Sequence, residues 1–214
     1  MSRHSFSFGP YYDPTNTAFG CLIAHNDDVL AAGAGFPEHP HRDLEIVTWV
    51  LAGELEHTDS EGGSAALRPG MVGRLSTGSG VRHAETNAAD GDTRYVQMWL
   101  VPDADGVPSY ETADVSDALG DGFVVVASGI PLAPVRLRRA GATFLVARTP
   151  TGRSATIPAA PLLHIYVARG RVTLVANAPI ALAEGDAVRI SDASPVRIDA
   201  VEDAEVLAWA MFSS

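Results

Sequence analysis

Two short segments of the sequence place residue types that can bind a metal ion two positions apart. They are His39-Pro40-His41 and His83-Ala84-Glu85. Because residues i and i+2 of an extended strand point to the same face, each segment can direct two donor side chains at one point. Two such strands side by side would supply three imidazoles and one carboxylate, a set that suits iron, nickel, copper or zinc.

Strand geometry alone leaves the fourth ligand open between Glu45 and Glu85. Glu45 has the same strand parity as His39 and His41, whereas Glu85 has the same parity as His83. Four protein donors would leave about two positions of a six-coordinate ion open for water, substrate or dioxygen. Open positions are typical of a reactive metal site and not of a structural one.

Short β-strands are the elements that must position these donors. Runs rich in β-branched and aromatic residues recur along the chain, each ended by a turn residue. Many such runs favour a β-sandwich or a β-barrel. The predicted strands are 44–51, 95–101, 123–127, 143–147, 164–167, 171–175 and 206–211.

The segment 102–122 differs from the rest because it contains six acidic residues and no basic one. We interpret it as a solvated linker and predict a short helix from Ser109 to Leu119, ended by Gly120. The acidic residues are Asp103, Asp105, Glu111, Asp114, Asp117 and Asp121.

A faint repeat lies on either side of this linker. Gly53 and Gly70 in the first half, and Gly170 and Gly185 in the second, follow similar strand-turn-strand patterns. Glycine suits turn positions that need an unusual backbone angle. Two halves of similar design predict two small β-barrels.

The composition excludes several other kinds of chemistry. A formal net charge of −11 disfavours binding to nucleic acid. All fifteen basic residues are Arg, so no lysine is present for a Schiff base or a phosphate loop. The single cysteine, Cys21, cannot form an intramolecular disulfide and is expected to be buried. We find neither a secretory signal nor a membrane span, and therefore expect a cytoplasmic protein.

The residues around the two donor segments resemble the pirin family of the cupin superfamily. The resemblance is dense over residues 5–103 and weaker over 120–214. Two departures from the general cupin motifs fit the pirin branch. The spacer before Gly53 is longer by one residue, and Ser76 stands in place of the usual proline. The segments that carry the resemblance are 39–48 (HPHRDLEIVT), 53–60 (GELEHTDS), 77–85 (TGSGVRHAE), 6–8 (FSF) and 11–14 (YYDP).

This resemblance implies an all-β bicupin of two consecutive jelly-roll barrels. The N-terminal barrel would span residues 1–118, including part of the acidic linker, and the C-terminal barrel would span 119–214. Only the N-terminal barrel would bind a metal, because the second half has one histidine, His164. The ligand set that the resemblance implies is His39, His41, His83 and Glu85, with Glu45 nearby.

The resemblance also implies a function. Pirins are associated with iron and with quercetin 2,3-dioxygenase activity. We therefore expect one divalent transition metal, first of all Fe(II), with Ni, Cu, Mn and Zn also compatible. The substrate would be a flavonol or a similar small aromatic molecule, and Glu85 would be the catalytic base. Tyr95, Gln97 and Trp99 share one strand face and are candidates to line an apolar slot, or are core residues.

Two alternative functions remain open. The first is a non-catalytic or weakly catalytic metal-binding regulator that binds a partner protein, as some pirins do. The second is a cupin enzyme with another substrate, such as an isomerase.

Several residues near the motifs have simpler expected roles. Arg42 and Arg82 adjoin ligands but point away from them on a strand, which favours salt bridges. His57 either hydrogen-bonds near the site or is exposed. His4, His25 and His164 lack a donor at ligand spacing and are interpreted as structural.

Overall fold

The computed structural model describes residues 1–120, 122–175 and 178–212, and it confirms the predicted all-β class. One predicted linker residue, Asp121, lies outside the described residues. The strands are β1 (Ser2–His4), β2 (Leu22–Leu30), β3 (Gly35–His41), β4 (Glu45–Ala52), β5 (Leu55–Asp59), β6 (Ser64–Leu67), β7 (Met71–Ser76), β8 (Val81–Asn87), β9 (Thr93–Leu100), β10 (Ser109–Asp114), β11 (Val124–Ser128), β12 (Val135–Arg136), β13 (Ala142–Thr149), β14 (Ser154–Ile157), β15 (Ala160–Arg169), β16 (Arg171–Val175), β17 (Pro179–Ala183), β18 (Ala187–Ala193), β19 (Val196–Ala200) and β20 (Ala204–Met211).

The chain divides into two compact units. The first unit comprises Met1–Ser116 with Val135–Ala140, and the second comprises Asp117–Pro134 with Gly141–Ser214. The division into barrels 1–118 and 119–214 stays a prediction.

The first unit contains two antiparallel sheets. One has the strand order β1-β2-β9-β4-β7-β10, and the other has the order β3-β8-β5-β6. Burial alternates along β5 and β8, so every second side chain of these strands points inward. Apolar side chains that include Val50, Leu55, Ile46 and Leu75 form its core.

The second unit repeats this design with its own sheets. One contains the order β11-β13-β20-β15-β18, and the other has the order β14-β19-β16-β17. Phe144 and Trp209 stack inside it, with ring centroids 4.9 Å apart. Its buried core consists of aliphatic residues such as Val172, Leu174 and Ile198.

The predicted glycine turns occur in both units. Gly53 has φ 77° and Gly170 has φ 75°, a region that favours glycine. A Cβ at Gly53 would lie 2.8 Å from the Thr93 Cα, and one at Gly170 would lie 2.2 Å from the Asp203 carbonyl oxygen. Both turns therefore require glycine for conformation and for space.

The predicted helix from Ser109 to Leu119 is wrong. Residues Ser109–Asp114 form β10, which pairs antiparallel with β7 along its whole length, and only Ser116–Ala118 form a short 3-10 turn. Arg74 of β7 binds Glu111 of β10 through an ion pair of 2.6 Å. Pairing with a strand distant in sequence therefore overrides the local pattern. No helix among the described residues is long and apolar enough to cross a membrane.

Candidate metal centre

The candidate donors lie on neighbouring strands of the four-stranded sheet of the first unit. His39 of β3 pairs directly with His83 of β8, and His41 follows two residues after His39. Directly opposed residues of an antiparallel pair share a face, as do residues i and i+2. The strand register therefore directs all three imidazoles to one side of the sheet.

The structure brings these three imidazoles together. Ring nitrogens of His39, His41 and His83 lie within 4.8 Å of one another. The ring centroids are 4.4 Å apart for His39 and His83, 4.9 Å for His39 and His41, and 5.2 Å for His41 and His83. Three nitrogen donors at these separations are suitable for holding one transition metal ion.

Glu85 belongs to a second group of donors. Its carboxylate and ring nitrogens of His57 and His83 lie within 4.8 Å of one another. Among the described residues no single group contains all four predicted ligands, but His83 is a member of both groups. His83 therefore links the imidazole cluster to the carboxylate.

Burial keeps the imidazoles of His41 and His83 neutral. It lowers the pKa of His83 to about 3, with a further contribution from the neighbouring His39, His57 and His41. Burial and the nearby His39 lower the pKa of His41 to about 4. A neutral imidazole has a lone pair available for a metal.

His83 also lacks hydrogen bonds. The residue is 1% exposed, and neither ring nitrogen has a hydrogen-bond partner among the described residues. A buried polar atom without a partner is costly. A cation beside His83 would compensate for that cost, so the residues present fit a metal ion.

A backbone contact orients His39. Its Nδ1 lies 2.9 Å from the carbonyl oxygen of Pro37. Because a carbonyl only accepts hydrogen bonds, Nδ1 carries the proton and Nε2 remains as the donor atom.

A chain of two hydrogen bonds holds the Glu85 carboxylate. Gln97 Nε2 donates to Glu85 Oε1 over 2.7 Å, and Trp99 Nε1 donates to Gln97 Oε1 over 3.0 Å. An indole N–H only donates, so it fixes the orientation of the Gln97 amide. Burial raises the pKa of Glu85 to about 7, although the Gln97 hydrogen bond opposes this shift.

Glu45 belongs to neither donor group. It lies on β4 of the six-stranded sheet, where its carboxylate accepts hydrogen bonds from Ser76 Oγ and, over 3.0 Å, from the backbone N–H of Arg138. The Glu45 carboxylate is thus held by other hydrogen bonds, whereas the Glu85 carboxylate lies near a ring nitrogen of His83.

His57 is buried beside the donors. Its Nε2 lies 3.0 Å from Asp59 Oδ2, and its ring stacks on Tyr110 with centroids 3.8 Å apart. The ring centroid of His57 is 5.4 Å from that of His83. The sequence carried a signal for this position, because His57-Thr58-Asp59 is a third pair of candidate donors two residues apart.

A cavity of about 490 Å³ adjoins the donors. Tyr95, Gln97 and Trp99 all line it, together with His39, His41 and Glu85. Further aromatic side chains complete its walls, namely Phe8 and Tyr11 of the N-terminal segment and Phe36 of β3. His4 lines the cavity too, a position that sequence spacing alone could not reveal, and its interpretation as a structural residue stays a prediction.

The other residues singled out in the sequence have the expected environments. Arg42 forms an ion pair with Asp43, and Arg82 forms one with Glu38. Cys21 is buried. His25 and His164 are also buried, and neither belongs to a donor group.

Comparisons with known proteins agree with this fold. The pirin family model matches residues 1–100. A protein of Mycobacterium tuberculosis named "Putative quercetin 2,3-dioxygenase" is 47% identical over 98% of this chain and 87% of the relative. A pirin-like protein of Caulobacter vibrioides is 36% identical over 96% of this chain and 90% of the relative. A quercetin 2,3-dioxygenase of Escherichia coli is 34% identical over 96% and 89%.

Solved structures show the same fold. The bacterial pirin YhhW of Escherichia coli, in complex with nickel(II), has a TM-score of 0.88 and 31% identity, covering 100% of this chain and 92% of that chain. A quercetin 2,3-dioxygenase of Acinetobacter baumannii has a TM-score of 0.72 and 21% identity, covering 90% and 75%, which is a likeness of fold alone.

Proposed function

Because this chain belongs to the pirin family, we propose that it is a metal-dependent dioxygenase of the quercetin 2,3-dioxygenase type. Its substrate would be a flavonol or a similar aromatic enol. The observation that carries the proposal is a cluster of three imidazoles, one of which also lies near a buried carboxylate, beside a cavity with aromatic walls. The names of the relatives support the same reaction class.

His39, His41, His83 and Glu85 would hold one divalent transition metal. Fe(II) is our first choice, and the same mixed nitrogen and oxygen donors also suit Ni, Cu, Mn or Zn. When bound, the ion would act as a Lewis acid that acidifies and orients a substrate hydroxyl.

Glu85 has a second role in this proposal, as the base that accepts the proton of the substrate hydroxyl. In the metal-free protein burial raises the pKa of Glu85 to about 7, so this carboxylate is a stronger base than an exposed one. Gln97 and Trp99 act as positioning residues, because their hydrogen bonds hold one carboxylate oxygen in place.

The aromatic walls orient a flat substrate and exclude water from it. Phe8 packs edge-on against Trp99, with ring centroids 5.4 Å apart, and Trp99 packs against His41 at 4.9 Å. A planar ring beside these side chains would bury apolar surface close to the candidate donors.

Elemental analysis combined with oxygen uptake and carbon monoxide release tests this proposal, with quercetin as the substrate. We expect one bound metal ion per chain and turnover, and we expect His41→Ala to abolish both. The matched control is Arg42→Ala, which removes an exposed neighbouring side chain that forms an ion pair with Asp43.

Two results would contradict the proposal. Bound metal without turnover on a panel of flavonols and catechols would contradict the enzyme and favour a metal-binding regulator with a protein partner. Failure to load any divalent metal would exclude both functions.

A further inference from the structure

The cavity beside the candidate metal donors has a polar wall on the six-stranded sheet. The neighbouring strands β1, β2 and β9 contribute six polar residues to this wall. The strand register places them in two rows, each with one residue from every strand. Residues that are paired directly, and residues two apart, share a face of the sheet. The rows are Ser2, Asp28 and Tyr95, and His4, Asn26 and Gln97. All six residues line the cavity.

The neighbouring polar residues hold Asp28 in a fixed orientation. Ser2 Oγ donates to Asp28 Oδ1, and His4 Nε2 lies 3.2 Å from Ser2 Oγ. His4 Nδ1 in turn lies 2.9 Å from Asn26 Oδ1. The second carboxylate oxygen of Asp28 has no hydrogen bond within the described part of the chain, so an acceptor is left for a ligand.

Tyr95 supplies the matching donor. The residue is 1% exposed and lines the cavity, and no described residue hydrogen-bonds its hydroxyl. Buried tyrosine hydroxyls usually have a hydrogen-bond partner. A ligand in the cavity would provide one.

The charge of the cavity indicates which ligand group fits here. Its described lining residues include two carboxylates, Asp28 and Glu85, and no arginine. Such a lining disfavours a carboxylate or phosphate group on the ligand and favours a group that donates a hydrogen bond. A phenolic hydroxyl is such a donor, and it also accepts a hydrogen bond from a tyrosine.

We propose that Asp28 and Tyr95 form a second recognition subsite in this cavity, which binds a ring hydroxyl of the aromatic substrate other than the hydroxyl at the metal donors. This inference rests on the proposed function, because it assigns a specificity determinant for that substrate. One end of the ligand would face the imidazoles and Glu85, and the other end would be recognised by hydrogen bonds. His4 connects this subsite to the aromatic wall, since its ring stacks on Phe8 with centroids 5.1 Å apart.

Two flavonols that differ only at the distal ring test the subsite. Quercetin carries two hydroxyls on that ring, whereas galangin carries none. Binding of each to the metal-loaded full chain is measured by calorimetry without oxygen, for the wild type, Asp28→Asn and Tyr95→Phe. The control is Asp105→Asn, at an exposed acidic residue that does not line the cavity.

We expect Asp28→Asn to weaken quercetin binding by about tenfold, the size of a lost hydrogen bond to a charged group, and to leave galangin binding nearly unchanged. Tyr95→Phe should also weaken quercetin binding and leave galangin binding nearly unchanged. Unchanged binding of galangin guards against a folding defect in either variant. Equal losses for both flavonols, or no loss, would overturn the subsite.

Turnover separates this result from the proposed function. If the wild type consumes quercetin but the substitutions weaken the binding of both flavonols equally, or of neither, only the subsite fails. If the substitutions weaken quercetin binding selectively but no protein has turnover, the proposed enzyme fails and the binding subsite remains.

Discussion

The four-stranded sheets of the two units share a design but bury different chemistry. β8 in the first unit and β19 in the second each occupy the second position of their sheet, and burial alternates along both. The inward residues of β8 include His83 and Glu85, whereas those of β19 are Val196, Ile198 and Ala200.

This difference shows what the fold requires and what it does not. The second unit demonstrates that aliphatic side chains suffice at such inward positions. Burying polar groups without hydrogen bonds costs free energy. The imidazoles and the carboxylate of the first unit are therefore unnecessary for the sheet, which supports the proposal that they serve metal binding and catalysis.

The largest expected effect comes from the core of the second unit, whose buried side chains the comparison takes to serve the fold alone. Trp209→Ala in the second unit removes a fully buried ring stacked on Phe144, and should lower the free energy of unfolding by about 3–5 kcal/mol. Chemical denaturation followed by circular dichroism measures this loss. The metal content of the remaining folded protein should not change, and a loss of metal in proportion to the lost stability would show that the second unit supports the site.

A pair of glycine substitutions tests whether the two halves share their turn design. Gly53→Ala and Gly170→Ala each place a Cβ at positive φ and against backbone, so each should cost about 1–3 kcal/mol. Unfolding midpoints of the two variants, compared with Gly33→Ala, check this. Gly33 also has positive φ, but its Cβ would contact nothing within 4 Å, so its cost should be smaller. A negligible cost at either turn would contradict the shared design.

Exchanging a candidate metal donor of the first unit for an apolar residue tests directly whether the sheet needs that donor. In the metal-free protein, His83→Leu should leave stability unchanged or raise it by about 1 kcal/mol at pH 5, because it removes a buried imidazole without hydrogen bonds. The same variant should lose metal binding. Lower stability of the metal-free variant at that pH would mean that His83 is needed for packing.

The pH dependence provides a further test, with a defined sign. The pKa of His83 falls from 6.5 to about 3 on folding, so the unfolded chain binds more protons between these values. Metal-free wild-type protein should therefore lose stability as the pH falls from 6.5 toward 3, and His83→Leu should show a shallower loss. Parallel curves would contradict a neutral buried His83.

The donor triplets could be predicted because strand parity is a local property. His39, His41, His83 and Glu85 needed only the period-two rule to be assigned to common faces. The turns at Gly53 and Gly170 were predictable for the same reason, since the backbone angle is a property of the residue itself.

Other features depend on contacts between distant segments, which a single sequence does not reveal. β10 was predicted to be a helix because its pairing with β7 is not visible in residues 109–119. Phe8 and His4 enter the cavity from the N-terminal segment, and no periodicity connects them to β9. The choice between Glu45 and Glu85 required the resemblance to a family, because both satisfy strand parity and only the sheet assignment separates them.

The most direct test of the central claim is a crystal structure of the metal-loaded protein, with the ion located by anomalous scattering at its absorption edge. The account predicts one ion in the first unit, with His39, His41, His83 and Glu85 as its protein ligands at about 2.0–2.2 Å. An ion bound through His57 in place of His39 and His41, or a fully loaded protein with its metal elsewhere, would contradict it.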